Sequence, residues 1–216
     1  MSRALHAIRR TVLALGFLLA AAAAAEAGPP MICHPFDAGT APLLPWGRGQ
    51  GWNTPDGSYD VNRLTADTLR LLSADAPILA RMENLRRATI YASKDRAVAA
   101  ALMSAVLART EVPGGSRDPL AWFDAGYLVE SYRQASHIYK WDMLTRSDRA
   151  KWTLRDEPAG VDGYALVVKA IALTGASAEM EFAASLMKEG TVSAEHRRRA
   201  MAGARAGSLL AKNLAH

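Results

Sequence analysis

An all-α fold is what this 216-residue sequence predicts, on three observations. Apolar residues recur at alternating intervals of four and three, the spacing of one helix face. Capping residues stand just ahead of several of those stretches. No window shows the sustained two-residue alternation of a half-buried strand. The expected architecture is a set of antiparallel helical hairpins forming an irregular bundle or a short helical-repeat-like stack. In front of it runs an irregular Pro/Gly-rich N-terminal arm.

The chain opens with a leader. Arg3, Arg9 and Arg10 precede an uncharged apolar run from Thr11 to Ala25, and Ala25-Glu26-Ala27 offers the small residues that a signal peptidase reads. Residues 1–27 are therefore expected to be a cleaved signal peptide, cut after Ala27, with a periplasmic or secreted mature chain. The run is about 15 residues long where a bilayer crossing needs about 20, so no transmembrane span is expected after cleavage. Pro29-Pro30-Met31-Ile32 separates Cys33 from the apolar run, unlike the cysteine of a lipoprotein signal. The leader carries three arginines and Glu26, so its removal lowers the formal charge from +5 to +3. That balance lacks the dense basic footprint of a nucleic-acid binder.

Residues 28–62 hold six of the ten prolines and six of the sixteen glycines, which exclude a helix or a long strand. They also hold Phe36, Leu44, Trp46, Trp52 and Tyr59, too many large apolar groups for a solvated tail. The segment is expected to lie over the helical body with its aromatic side chains in surface grooves. Residues 63–216 are expected to form a single helical domain.

The helices follow in order. Thr65-Ala66-Asp67 opens a short one through Leu72. Asp75, with Pro77 in the first turn, is the expected cap of a helix to about Ala92, whose stripe is Ile78, Met82, Leu85, Thr89 and Ala92. Asp95 caps a partner from Ala97 to Arg109 after a connection short enough to force a hairpin. Val112 to Ser116 is a break, and Asp118-Pro119 then starts a helix with Ala121, Ala125, Leu128, Tyr132, Ala135 and Tyr139 on one face. Ser147 is expected to cap a short helix containing Trp152. Asp162 opens the next, ended by Thr174-Gly175. Ser177 caps its partner, ended by Gly190, and Ser193 caps a last continuous helix to about Leu214. Two of these hairpins are offset by 82 residues and share a helix–turn–alanine-rich helix pattern, a faint internal echo of helical-repeat arrays.

Few residues carry chemistry. Cys33-His34 pairs a thiol with an imidazole, although neighbours in an extended chain point apart. A single cysteine excludes an internal disulfide framework and every Cys-clustered metal centre. Cys33, His34 and Asp37 are the candidate metal ligands on one loop. Asp124 and Glu130, with Cys33 and His34, are the candidate catalytic groups for acid–base or nucleophilic work. Arg81, Glu83 and Arg86 form a dense polar patch suited to anion binding, unless it is simply a solvated helix surface. Trp122 and Tyr127, together with Trp46 and Trp52 of the arm, complete the candidate ligand- or partner-binding set. Gly126, inside a helix, implies that something packs close against it. Arg198, Arg205 and Lys212 repeat every seven residues as a basic stripe on the last helix.

No cofactor motif is present, and none is expected to be bound. Taken together, the sequence reads as an exported α-helical interaction module of the cell envelope, binding another envelope protein or a small ligand. The alternatives are an exported hydrolase-like enzyme or a metal-binding protein, each built on Cys33 and His34.

Overall fold

Five helix starts among the described residues are set by side chains that accept from amide groups with no intrahelical partner. In the computed structural model, which describes residues 31–49, 51–112, 117–140 and 160–215, eight α-helices and no strand occur among those residues. They are α1 (Leu64–Leu71), α2 (Ile78–Ala92), α3 (Arg96–Ala108), α4 (Pro119–Lys140), α5 (Gly163–Thr174), α6 (Ala178–Ser185), α7 (Gly190–Gly203) and α8 (Leu209–Leu214). Asp95 accepts from the Ala97 and Val98 amides, Asp118 from Leu120, Asp162 from Ala165 and Ser177 from Met180. Gly175, at φ 74°, ends α5 in the left-handed conformation. The leader, residues 113–116 and the expected short helix with Trp152 lie outside the described residues.

Two expected helix starts are corrected. Pro77 is extended (ψ 149°), so α2 begins only at Ile78, and the Asp75 carboxylate bonds Ser73 instead of capping the helix. The last helix is two helices. Ala204 turns extended, Gly207 takes φ +75°, and Ser208 restarts the chain as α8 by accepting from Ala211 at 3.1 Å. This break takes Arg205 off the helix and disrupts the seven-residue basic stripe. Ser193 lies inside α7, where its hydroxyl donates to Ser185 O, and Gly190 starts α7 where it was expected to close α6.

The core is organised around α2. Thirteen of its fifteen residues are buried, so it has no solvent face. Helices α1, α3, α4 and α6 contact it, together with the short 3₁₀ turn Met31–Cys33 of the arm. By contrast, α5 buries only Gly163, Val167 and Ala170 of its twelve residues. The two hairpins that echo one another therefore sit in different surroundings, and the assembly is an irregular bundle.

Gly126 and Gly163 mark where α4 and α5 cross most closely. A Cβ on Gly163 would meet Gly126 O at 2.6 Å, and one on Gly126 would meet Leu166 Cβ at 2.9 Å. The mid-helix glycine is thus explained by backbone-to-backbone approach. No helix among the described residues is long and apolar enough to cross a membrane.

Candidate functional site

The densest polar region is the face of α2 under the arm. The patch that the sequence allows as a solvated surface is buried: Arg81 is 0% exposed, and Glu83 and Arg86 are 1% exposed. Glu83 accepts from Phe36 N at 3.0 Å, Arg86 Nε at 2.8 Å, Arg86 Nη2 at 2.9 Å and Arg87 Nε at 2.7 Å. Arg86 also donates to Ile32 O and Trp52 O, while Arg87 donates to Leu44 O at 2.6 Å. Asn84 accepts from Leu44 N at 2.8 Å and donates to Pro42 O at 3.1 Å. The Tyr91 hydroxyl donates to Pro45 O and accepts from Asp56 N. One helix face thus satisfies much of the backbone of an arm whose regular structure is limited to short 3₁₀ turns.

The apolar groups of the arm fill the same seam. Met31, Ile32, Phe36 and Leu44 are buried, and Phe36 meets Phe182 edge-on at 6.0 Å. Trp46 lies edge-on to Tyr91, with the Arg86 and Arg87 guanidinium groups 5.1 and 5.3 Å from its ring. At its near end the arm is clasped by α8: Asn213 accepts from Asp37 N and donates to Asp37 O, both at 2.9 Å. Burial pushes the Glu83 carboxyl up, but the bonds and charge of Arg86, the Phe36 amide and Arg87 outweigh it and hold the group below the usual carboxylate range.

Asp124 has a different set of partners. Its Oδ2 receives Arg81 Nη1 and Arg109 Nη1, each at 2.6 Å. Arg81 also donates to Ser73 O and Ala76 O, and Arg109 to Leu72 O, so Asp124 ties α4 to the loop between α1 and α2. Burial pushes the Asp124 carboxyl up, and both arginines pull against that shift. Glu130 instead accepts from Tyr164 N at 3.1 Å and Arg133 at 2.9 Å, satisfying the first turn of α5. Tyr127 is fully buried, stacks on Phe123 at 5.8 Å, and its hydroxyl has no hydrogen-bond partner among the described residues.

Cys33, His34, Asp124 and Glu130 are therefore held by separate partners. Cys33 is partly buried against the core, and burial pushes its thiol up although Arg86 opposes the shift. The His34 ring packs edge-on against Phe36 at 4.9 Å. The Asp37 carboxylate accepts from Gly39 N in a local turn. Among the described residues no three His, Cys, Asp or Glu side chains gather as a metal site, so Cys33, His34 and Asp37 are not brought together as ligands. Trp122 lies at the edge of the core with Lys169 Nζ 3.3 Å from its ring centre, a cation–π contact.

A second cluster escaped the sequence reading. His196 of α7 directs Nδ1 at Glu181 Oε2 of α6 and Nε2 at the Tyr164 hydroxyl of α5, the latter at 2.8 Å. An ionised Glu181 places the proton on Nδ1, leaving Nε2 to accept from Tyr164. Arg199 Nη1 is 3.7 Å from Glu181, and Lys188 Nζ is 4.6 Å from the centre of the Tyr164 ring. Burial, Glu181 and Asp162 raise the Tyr164 phenol against the pull of Arg199. The three residues lie on separate helices, 15 and 32 positions apart along the chain, so no local motif announced them.

The chain matches no protein-family model, no curated protein and no solved structure.

Proposed function

We propose that this chain is an exported interaction module of the cell envelope, acting through its folded surface rather than through chemistry at the arm. The observation that carries this reading is the filled seam between arm and α2. Glu83, Asn84, Arg86 and Arg87 spend their hydrogen bonds on the arm backbone and on one another. Groups saturated in this way hold architecture together and leave little capacity for a ligand. The leader supports export, and Val168, Leu173, Val192 and Met201 supply exposed apolar groups for a partner. That partner is another envelope protein or a small ligand.

The hydrolase-like alternative on Cys33, His34, Asp124 and Glu130 draws less support. A nucleophilic cysteine needs a lowered thiol pKa or a base seated on its sulfur; here burial pushes the thiol up, and the neighbouring His34 ring packs against Phe36. Thiol alkylation separates the two readings. As an interaction module, the folded protein should react at Cys33 more slowly than a free thiol and reach full reactivity only on unfolding. A fast, stoichiometric thiolate in the folded state would move the assignment to the enzyme. In cells, a photoreactive side chain at Met201 or Val192 should capture a discrete partner, and N-terminal sequencing should start at Gly28. A product that retains residues 1–27 in the cytosol would remove the envelope from the proposal.

A further inference from the structure

The Tyr164–His196–Glu181 cluster goes beyond the interaction reading and uses residues that reading leaves idle. Its order is carboxylate, imidazole, hydroxyl. The carboxylate fixes the imidazole tautomer, and the other ring nitrogen faces the hydroxyl of Tyr164, the one partly exposed residue of the three. This is the geometric logic of a base-activated nucleophile, with a phenol where hydrolases place a serine. His196 and Glu181 are buried, whereas Tyr164 is partly exposed, so an electrophile meets Tyr164 first.

We infer that Tyr164 is an acyl acceptor, activated by His196, for carboxylic esters with a good leaving group. In that step the phenol oxygen forms a bond to the acyl carbon and the bond from that carbon to the leaving oxygen breaks. The phenol proton passes to His196 Nε2 and then to the leaving oxygen. Lys188, over the Tyr164 ring, stands where it can stabilise one developing oxyanion. Arg199 is already engaged by Glu181 and by Glu195 at 3.0 Å, which disfavours a multiply charged phosphate ester. Glu181 is a positioning residue that acts through the imidazole.

The probe is p-nitrophenyl acetate with the whole protein. The expected result is a burst of about one equivalent of nitrophenolate and one acetyl group on Tyr164 by peptide mass spectrometry, removable by hydroxylamine as an ester is. Tyr164→Phe, which deletes a single oxygen, should abolish the burst with an unchanged circular dichroism spectrum. His196→Ala should slow it by about 100-fold or more, within the usual range for losing a positioned base, and added imidazole should restore part of the rate. Glu181→Gln should slow the burst less than His196→Ala. Acylation of Tyr164 no faster than of the partly buried Tyr59, acetyl found only as a hydroxylamine-stable amide on Lys188, or a burst indifferent to His196→Ala would each overturn the assignment.

Discussion

Two regions of this molecule use the same kinds of side chain to opposite ends. Under the arm, Glu83, Asn84 and Arg86 lie within the core, and their hydrogen bonds close on one another or on the backbone of residues 32–52. At the α5–α6–α7 junction, Glu181 and His196 are buried too, yet their chain of hydrogen bonds ends on the phenol of the partly exposed Tyr164. Saturation makes the first region a fastening. An accessible terminus gives the second region something to react with. The difference shows that a cluster's chemical capacity depends on where its last hydrogen bond goes, more than on which residues it holds.

The largest expected effect comes from breaking the fastening. Glu83→Ala leaves the Arg86 guanidinium buried without its counter-charge and should destabilise the protein by about 3–5 kcal/mol in urea unfolding. Gly126→Ala should come next, at about 1–3 kcal/mol, because the new methyl group meets Leu166 Cβ at 2.9 Å and forces α4 from α5. Asn84→Ala strands the Leu44 amide and the Pro42 carbonyl and should lose about 1–3 kcal/mol.

The pH response sharpens the same comparison. The Glu83 carboxyl is held below its unfolded range, so its contribution is complete above that range and is lost as pH falls through the depressed folded value. Acid should therefore release the arm, seen as a change in tryptophan emission from Trp46 and Trp52, and Glu83→Gln should lack that step. The smallest effect belongs to the surface. Glu195→Ala removes the exposed ion pairs with Arg198 and Arg199 and should leave the thermal midpoint unchanged within error.

Much of this architecture was legible in the sequence because local chemistry decides it. Asp95, Asp118, Asp162 and Ser177 cap where capping residues should, and Gly126 marked a close approach that Gly163 completes. The failures have tertiary causes. Charges at 81, 83, 86 and 87 have the spacing of a solvated helix face; an arm arriving from 34 to 54 residues upstream covers 83, 86 and 87, while Asp124, 43 residues downstream, pairs with Arg81. The recurring alanines at 200, 202, 206 and 211 around Ala204 hid the break between α7 and α8, which rests on the backbone at Ala204 and Gly207. Asn213, which clasps Asp37 from 176 positions away, and His196, which meets partners on two other helices, have no signature within any short window.

Amide hydrogen exchange at Phe36 and Leu44 tests most directly whether the arm is an integral part of the fold. Their N–H groups donate to Glu83 at 3.0 Å and Asn84 at 2.8 Å, so both should exchange only on global unfolding, as slowly as amides in the middle of α2. Exchange at these two positions as fast as in an unstructured peptide, with α2 still protected, would contradict the account.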